Sequence, residues 1–100
     1  MLLEYYPEVV QSVAGPGKTV YTYFSDGKIT KLDMSAAIAG GGVFSALADD
    51  SFFRDALTVL NGSVAWDVSG NYDPTTCIDI DPFVAYEAER VEDPLELGVA

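Results

Sequence analysis

Residues 57–66 read LTVLNGSVAW, which places Asn61-Gly62 between two runs of mostly β-branched and apolar residues. Asn-Gly favours a two-residue type I′ turn, because both central residues of that turn need a positive φ. Side chains alternate between the two faces of a strand, so this turn puts four large apolar side chains on one face of the hairpin. These four are Leu57, Val59, Val64 and Trp66. The stretch therefore predicts a hairpin with one core-facing surface.

A second hairpin is indicated closer to the N-terminus, where Asp26-Gly27 separates residues 18–25 from residues 28–34. Both runs are rich in β-branched and aromatic residues, which favour strands. Asp-Gly is also typical of a type I′ turn, and a two-residue turn here would place Phe24 opposite Ile29. We therefore expect a second antiparallel pair of strands.

Helix signals lie between and after the two hairpins. Ser35 is a candidate N-cap for a short helix that the glycines at 40–42 would end. Residues 49–51, Asp-Asp-Ser, supply N-caps for a second helix. Asp81-Pro82 predicts a third helix, because Asp is a good N-cap and Pro is favoured at the first helical position. The apolar stripe of that third helix would be Val84, Ala88 and Val91.

These elements together predict an α+β fold, with a mostly antiparallel sheet of about five strands built from two hairpins and short helices packed on one face. The β-rich residues 8–14 and the alternating residues 78–81 supply the remaining strands. We expect residues 1–91 to form a single α+β domain, since 100 residues suit one domain and not two. Residues 92–100 are expected to form a flexible C-terminal tail.

The charge of the chain is strongly negative and unevenly distributed. It has 16 acidic and 5 basic side chains, for a formal net charge of −11, and residues 67–100 contribute nine of the acids and only one arginine. We call residues 67–100 the acidic pole. Its field repels the phosphates of nucleic acids and anionic lipids and attracts basic proteins. We therefore expect no direct nucleic-acid binding, no membrane association and a basic protein partner.

The composition also limits catalysis and points to a cellular compartment. No histidine is present, which excludes Ser-His and Cys-His nucleophilic pairs. Cys77 is the single cysteine, so no intramolecular disulfide can form, and we expect its thiol to be a small buried apolar group. A lone thiol suits a reducing compartment, and no apolar run approaches the ~20 residues that span a bilayer. A cytoplasmic location is expected.

Side chains with oxygen atoms recur through the acidic pole in a pattern that Ca²⁺ can bind. The spacing lacks the helix-flanked loop and closing Glu of a calcium-binding hand, and the same residue types are typical of a solvated turn. We therefore expect no metal and no cofactor. The alternative is a carboxylate-based or metal-dependent enzyme that uses Asp67, Asp73, Asp79 and Asp81. A further alternative is a homo-oligomeric structural protein that pairs through an exposed sheet edge.

An ordered set of short motifs resembles one bacterial family, catalogued as domain of unknown function 2442. The resemblance covers residues 8–88, and its motifs are FSDG at 24–27, LDM at 32–34, GVF at 42–44, LAD at 47–49, FF at 52–53, VAW at 64–66, IDIDP at 78–82 and YE at 86–87. The chain departs from the family in two places. It has Trp66-Asp67 where members often have Trp-Pro, and residues 67–77 form a longer link than many members have.

The resemblance implies a small α+β domain without established enzymatic activity and a suggested antitoxin-like role. Combined with the negative charge, it favours an acidic protein-binding module, not an enzyme, that contacts a basic protein. The residues assigned to that contact are Asp67, Asp73, Asp79, Tyr86 and Glu87.

Overall fold

Turn and cap chemistry divides the described part of the chain into seven strands, three short α-helices and one 3-10 helix. The computed structural model describes residues 7–68, 70 and 77–92, so Asp73 and the greater part of the expected C-terminal tail lie outside the described residues. In chain order the elements are β1 Val9–Ala14, β2 Thr19–Phe24, β3 Ile29–Asp33, α1 Ser35–Ala39, the 3-10 helix Gly42–Ala48, α2 Asp50–Asp55, β4 Leu57–Leu60, β5 Ser63–Trp66, β6 Ile78–Asp79, α3 Pro82–Tyr86 and β7 Glu89–Arg90.

The strands form two antiparallel sheets, which confirms the α+β class. The first sheet has the order β1-β2-β3-β7 and the second has the order β4-β5-β6, so there are seven described strands in two sheets where about five in one sheet were expected. The sheets meet where β1 lies beside β4. There the β1–β2 pairing shifts register between Val9 and Gln11. The Val9 N–H donates to the Gly62 carbonyl (2.9 Å), and the Ser12 hydroxyl donates to the Thr58 carbonyl (3.0 Å).

The hairpin at Asn61-Gly62 has the predicted geometry. Asn61 has φ of 53° and Gly62 has φ of 72°, as a type I′ turn requires. Val59 pairs with Val64, and Leu57 pairs with Trp66. Val64 and Trp66 are fully buried, and the β4 residues of the same face are half-buried and pack against the core.

The hairpin at Asp26-Gly27 has a different turn from the one predicted, so its predicted register is wrong by one residue. Ile29 pairs with Tyr23, and the Phe24 N–H donates to the Lys28 carbonyl (2.9 Å). Among the described non-glycine residues only Asn61 has a positive φ, so Asp26 does not adopt the type I′ conformation. The Asp26 carboxylate accepts a hydrogen bond from the Lys28 N–H (2.9 Å), which stabilises a three-residue loop instead.

An aspartate carboxylate accepts a hydrogen bond from a backbone N–H in the first turn of each of the first two helices. Ser35 was expected to cap α1, but it is the first helical residue, and its N–H donates to the Asp33 carboxylate (2.9 Å). This hydrogen bond holds the pKa of Asp33 below its ordinary value. Asp49 caps α2 as predicted, because its carboxylate accepts a hydrogen bond from the Phe52 N–H (3.1 Å).

The third helix begins as predicted but ends after one turn, so the predicted stripe through Val91 is wrong. The Asp81 carboxylate accepts a hydrogen bond from the Phe83 N–H (2.8 Å), with Pro82 at the first position, and the helix ends at Tyr86. Residues 89–90 then pair with β3, and the Val91 N–H donates to the Ile29 carbonyl (2.9 Å). The backbone groups of residues 89–91 form hydrogen bonds with the edge of β3 in place of the hydrogen bonds of a longer helix.

A single described core joins the two sheets and the helices. Its largest fully buried side chain is Trp66, whose indole N–H donates to the Phe53 carbonyl (2.9 Å). The Phe53 ring packs at 5.5 Å from the Trp66 ring. The other buried apolar members are Val9, Val20, Phe24, Met34, Leu47, Val64, Ile78, Ile80 and Ala85.

Candidate partner-binding surface

Two carboxylates of the acidic pole lie at the ends of α3, and a third lies on the strand that precedes it. Asp79 lies in β6, Asp81 caps the helix, and Glu87 follows its last residue; all three side chains are exposed. The Glu87 N–H donates to the Phe83 carbonyl (3.1 Å), so Glu87 continues the helical turn and lies one turn beyond Phe83. The short helix therefore carries negative charge at both ends.

The outward side of α3 is apolar. Ala85 is the buried residue of this helix, packed toward the core, while Val84 is 55% exposed and Phe83 is 37% exposed. Residues three or four apart on a helix are neighbours, so Val84 lies near Asp81 and Glu87, and Phe83 lies near Glu87. We call Asp79, Asp81, Phe83, Val84 and Glu87 the α3 surface. It combines an exposed apolar pair with a rim of carboxylates.

Tyr86 follows Phe83 by three residues on α3 and packs against the first hairpin. Its ring meets Phe24 edge to face at 4.9 Å, and its hydroxyl donates to the Asp26 carboxylate (2.7 Å). The Lys28 ammonium lies 4.0 Å from the centre of the Tyr86 ring, within the range of a cation–π contact. The half-buried Tyr86 therefore holds α3 on the hairpin, and its predicted role in partner contact stays a prediction.

The remaining predicted site residues divide between described and undescribed positions. Asp67 follows β5, is half-buried, and accepts a hydrogen bond from the Gly70 N–H (3.1 Å) in a local turn. Asp79 lies on the neighbouring strand, where it pairs with Ala65. Asp73 lies outside the described residues, so its role stays a prediction.

The described carboxylates do not assemble a metal centre. Within residues 7–68, 70 and 77–92, no group of three or more Cys, Asp or Glu side chains is arranged to hold a metal ion. Asp81 directs an oxygen to the N–H of Phe83, and Asp67 directs one to the N–H of Gly70, which are backbone-capping roles. Cys77 is half-buried, where full burial was expected.

The exposed residues Phe83 and Val84 were missed at the sequence level, because Val84 was placed in a core-facing stripe with Ala88 and Val91. The acidic members of the surface were identified, since Asp79 and Glu87 are visible as charges. A helix of one turn is too short for a repeating apolar pattern. Only a strand signal in residues 89–91 would have shown that the helix ends before Ala88 and that Val84 need not face the core.

Comparisons with protein-family models, curated proteins and solved structures gave no match. The resemblance to domain of unknown function 2442 therefore stays a prediction. In the part of the chain that the structure describes, no helix has the length and apolar character needed to cross a membrane.

Proposed function

We propose that this protein is an acidic protein-binding module that neutralises or escorts a basic protein partner. The observation that supports the proposal most is the distribution of charge. Residues 67–100 carry nine acidic side chains and one arginine, whereas residues 1–66 carry seven acidic and four basic side chains. A region with one sign of charge attracts oppositely charged proteins and speeds their encounter.

The described part of the acidic pole supports this proposal because its carboxylates reach solvent. The exposed members are Asp79, Asp81, Glu87, Glu89 and Glu92. A basic protein that acts on nucleic acid depends on contacts with phosphates, and those contacts are lost when an acidic protein covers the basic surface. This is the chemistry that an antitoxin-like role, implied by the family resemblance, would need.

A homo-oligomeric structural role is the second candidate, and the outward face of the first sheet favours it. Val13, Tyr21, Tyr23 and Ile29 alternate with core-facing residues and are only half-buried. Self-association must overcome repulsion between two chains of net charge −11, so this candidate ranks second. Sedimentation velocity at low and high salt tests it: a monomer under both conditions contradicts a homo-oligomer.

The test of the proposed function compares two double variants with the same change of charge. Asp79→Asn with Glu87→Gln removes two charges from the acidic pole, and Glu8→Gln with Asp55→Asn removes two exposed charges outside it. Proteins that co-purify with the tagged wild type at low salt are identified by mass spectrometry. Their association rates with each variant are then measured by surface plasmon resonance.

We expect the captured partner to be basic and its association rate with the wild type to fall by about tenfold between ~0.05 and ~0.5 M NaCl. The acidic-pole variant should associate roughly threefold more slowly than wild type at low salt, and the control variant should differ less. A rate that does not change with salt, or equal effects of the two double variants, would contradict the proposal.

A further inference from the structure

We infer that the partner docks on the α3 surface and that its contacting segment carries an apolar side chain flanked by lysines or arginines. This inference rests on the proposed function and adds the place of contact and the chemistry of the occupant. The anchor is the exposed apolar pair Phe83 and Val84, and the rim consists of Asp79, Asp81 and Glu87.

The apolar pair distinguishes this surface from an acidic surface that only aids solubility. Single exposed apolar residues are normal on proteins, but here two large ones occupy consecutive positions of one helical turn, and both neighbour Glu87. Val84 is 55% exposed and Phe83 is 37% exposed, while the neighbouring Ala85 is fully buried. An aromatic anchor at the centre of a polar rim is the usual arrangement of a protein contact site.

The rim defines the charge of the occupant. Asp81 and Glu87 lie at the two ends of α3, and Asp79 precedes the helix on β6. Lys28 lies over the ring of Tyr86, on the side of α3 that packs against the first hairpin. Phe83 neighbours Tyr86 and so lies on the Lys28 side of the helix, whereas Val84 lies between Asp81 and Glu87. These two carboxylates favour cations on either side of an apolar group docked on Val84.

The α3 surface is held in place before any partner arrives. The Thr30 hydroxyl donates to the Ala85 carbonyl (2.8 Å), and the Tyr86 ring packs on Phe24. The Asp81 carboxylate fixes the first turn through the Phe83 N–H. A surface that is already ordered loses little conformational entropy when it binds.

The outward face of the first sheet is the competing surface, and its charge disfavours a basic occupant. Tyr21 and Tyr23 offer aromatic area there, but the exposed Lys31 lies directly opposite Tyr21 on the neighbouring strand. A cationic segment would meet that ammonium group. The α3 surface is therefore the better match for a basic partner.

The test uses three synthetic peptides of equal length as probes. The first has leucines on one helical face and lysines on the other, the second replaces its leucines with serines, and the third replaces its lysines with glutamates. Binding is followed by amide chemical shifts of the ¹⁵N-labelled protein. We expect the lysine–leucine peptide to shift residues 79–87 most and to bind at least about tenfold more tightly than either other peptide.

Variants then separate the anchor from the general charge. Val84→Ser and Phe83→Ser should each weaken the lysine–leucine peptide by about tenfold, whereas Val43→Ser, at a residue that is 69% exposed outside the acidic pole, should not. Val84→Ser is the decisive variant, because its side chain is exposed and its loss leaves the core intact.

The possible failures are distinguishable. If the lysine–serine peptide binds as tightly as the lysine–leucine peptide, or the shifts map to Tyr21 and Tyr23, the docking inference is wrong while the proposed function stands. If the glutamate peptide binds equally well, charge does not select the occupant and the inference is again wrong. If neither cationic peptide binds at low salt, the proposed function itself loses its support.

Discussion

At the scale of single residues, a row of hydroxyl groups crosses the core-facing side of the first sheet. Ser12 pairs with Thr22 and Thr22 pairs with Thr30, and the outer two hydroxyls donate to the carbonyls of Thr58 and Ala85. The Thr22 hydroxyl is fully buried and has no hydrogen-bond partner among the described residues. A buried polar group in this state costs free energy of folding.

Thr22→Val should therefore raise the free energy of unfolding by about 1 kcal/mol, because valine has nearly the same shape and removes the unpaired hydroxyl. Thr30→Val is the matched comparison on the adjacent strand. It should lower stability by about 1–2 kcal/mol, since the buried hydrogen bond from the Thr30 hydroxyl to the Ala85 carbonyl (2.8 Å) is lost. Urea unfolding measures both, and a destabilised Thr22→Val would show that its hydroxyl has a partner.

Trp66→Ala should lower the free energy of unfolding by about 3–5 kcal/mol, the usual range for removal of a buried aromatic side chain. Trp66 is fully buried, packs on Phe53 and donates its indole N–H to the Phe53 carbonyl. Val43→Ala, at a residue that is 69% exposed, should change stability by less than about 0.5 kcal/mol. A Trp66→Ala variant that unfolds at the wild-type urea midpoint would rule out this packing.

At the scale of elements, α3 depends on its ends more than on its length. A helix this short gains little from its own backbone hydrogen bonds, so its cap and its packing stabilise it. Asp81 supplies the cap, and Ala85 and Tyr86 supply the contacts with the first sheet. The order of the α3 surface therefore depends on the Asp81 cap and on the contacts of Ala85 and Tyr86.

Asp81→Ala should cost about 0.5–2 kcal/mol of stability, because the Phe83 N–H loses its acceptor. Asp79→Ala removes the same charge two residues earlier, from an exposed position on β6, and should cost less than about 0.5 kcal/mol. The two variants are compared by thermal unfolding under identical conditions. Equal losses would mean that charge, and not capping, determines the effect of Asp81.

The two hairpins show how much of the structure short sequence motifs can predict. Asn61-Gly62 specified its hairpin correctly because both residues adopt the positive φ that the turn needs. Asp26-Gly27 did not, since the Asp26 carboxylate binds the Lys28 N–H and favours a longer loop. Within the candidate site, Asp79 and Glu87 were visible as charges. The contact of Tyr86 with Asp26 joins residues 60 apart in the sequence, and no local pattern predicts it.

At the scale of the whole molecule, negative charge is the dominant electrostatic feature. The described ion pairs between side chains are Lys18 with Asp50 and Arg54 with Asp55. Both carboxylates are largely exposed, and ion pairs that solvent reaches contribute little. A net charge of −11 on 100 residues therefore repels itself in the folded state with little compensation.

Added salt should therefore stabilise the protein. Between ~0.05 and ~0.5 M NaCl the screening length shortens severalfold, and we expect the thermal midpoint to rise by a few degrees. Asp79→Asn with Glu87→Gln should show a smaller rise, because two of the repelling charges are gone. A midpoint that falls with salt would mean that the ion pairs outweigh the repulsion.

The pairing of β7 with β3 has a consequence for synthesis on the ribosome. The first three strands lie within residues 9–33, but the strand that covers the free edge of β3 is made of residues 89–90. A growing chain therefore displays an unpaired sheet edge until those residues leave the exit tunnel. Such an edge is a template for pairing with other nascent chains. The first hairpin has to persist in this open form while residues 34–90 are still being translated.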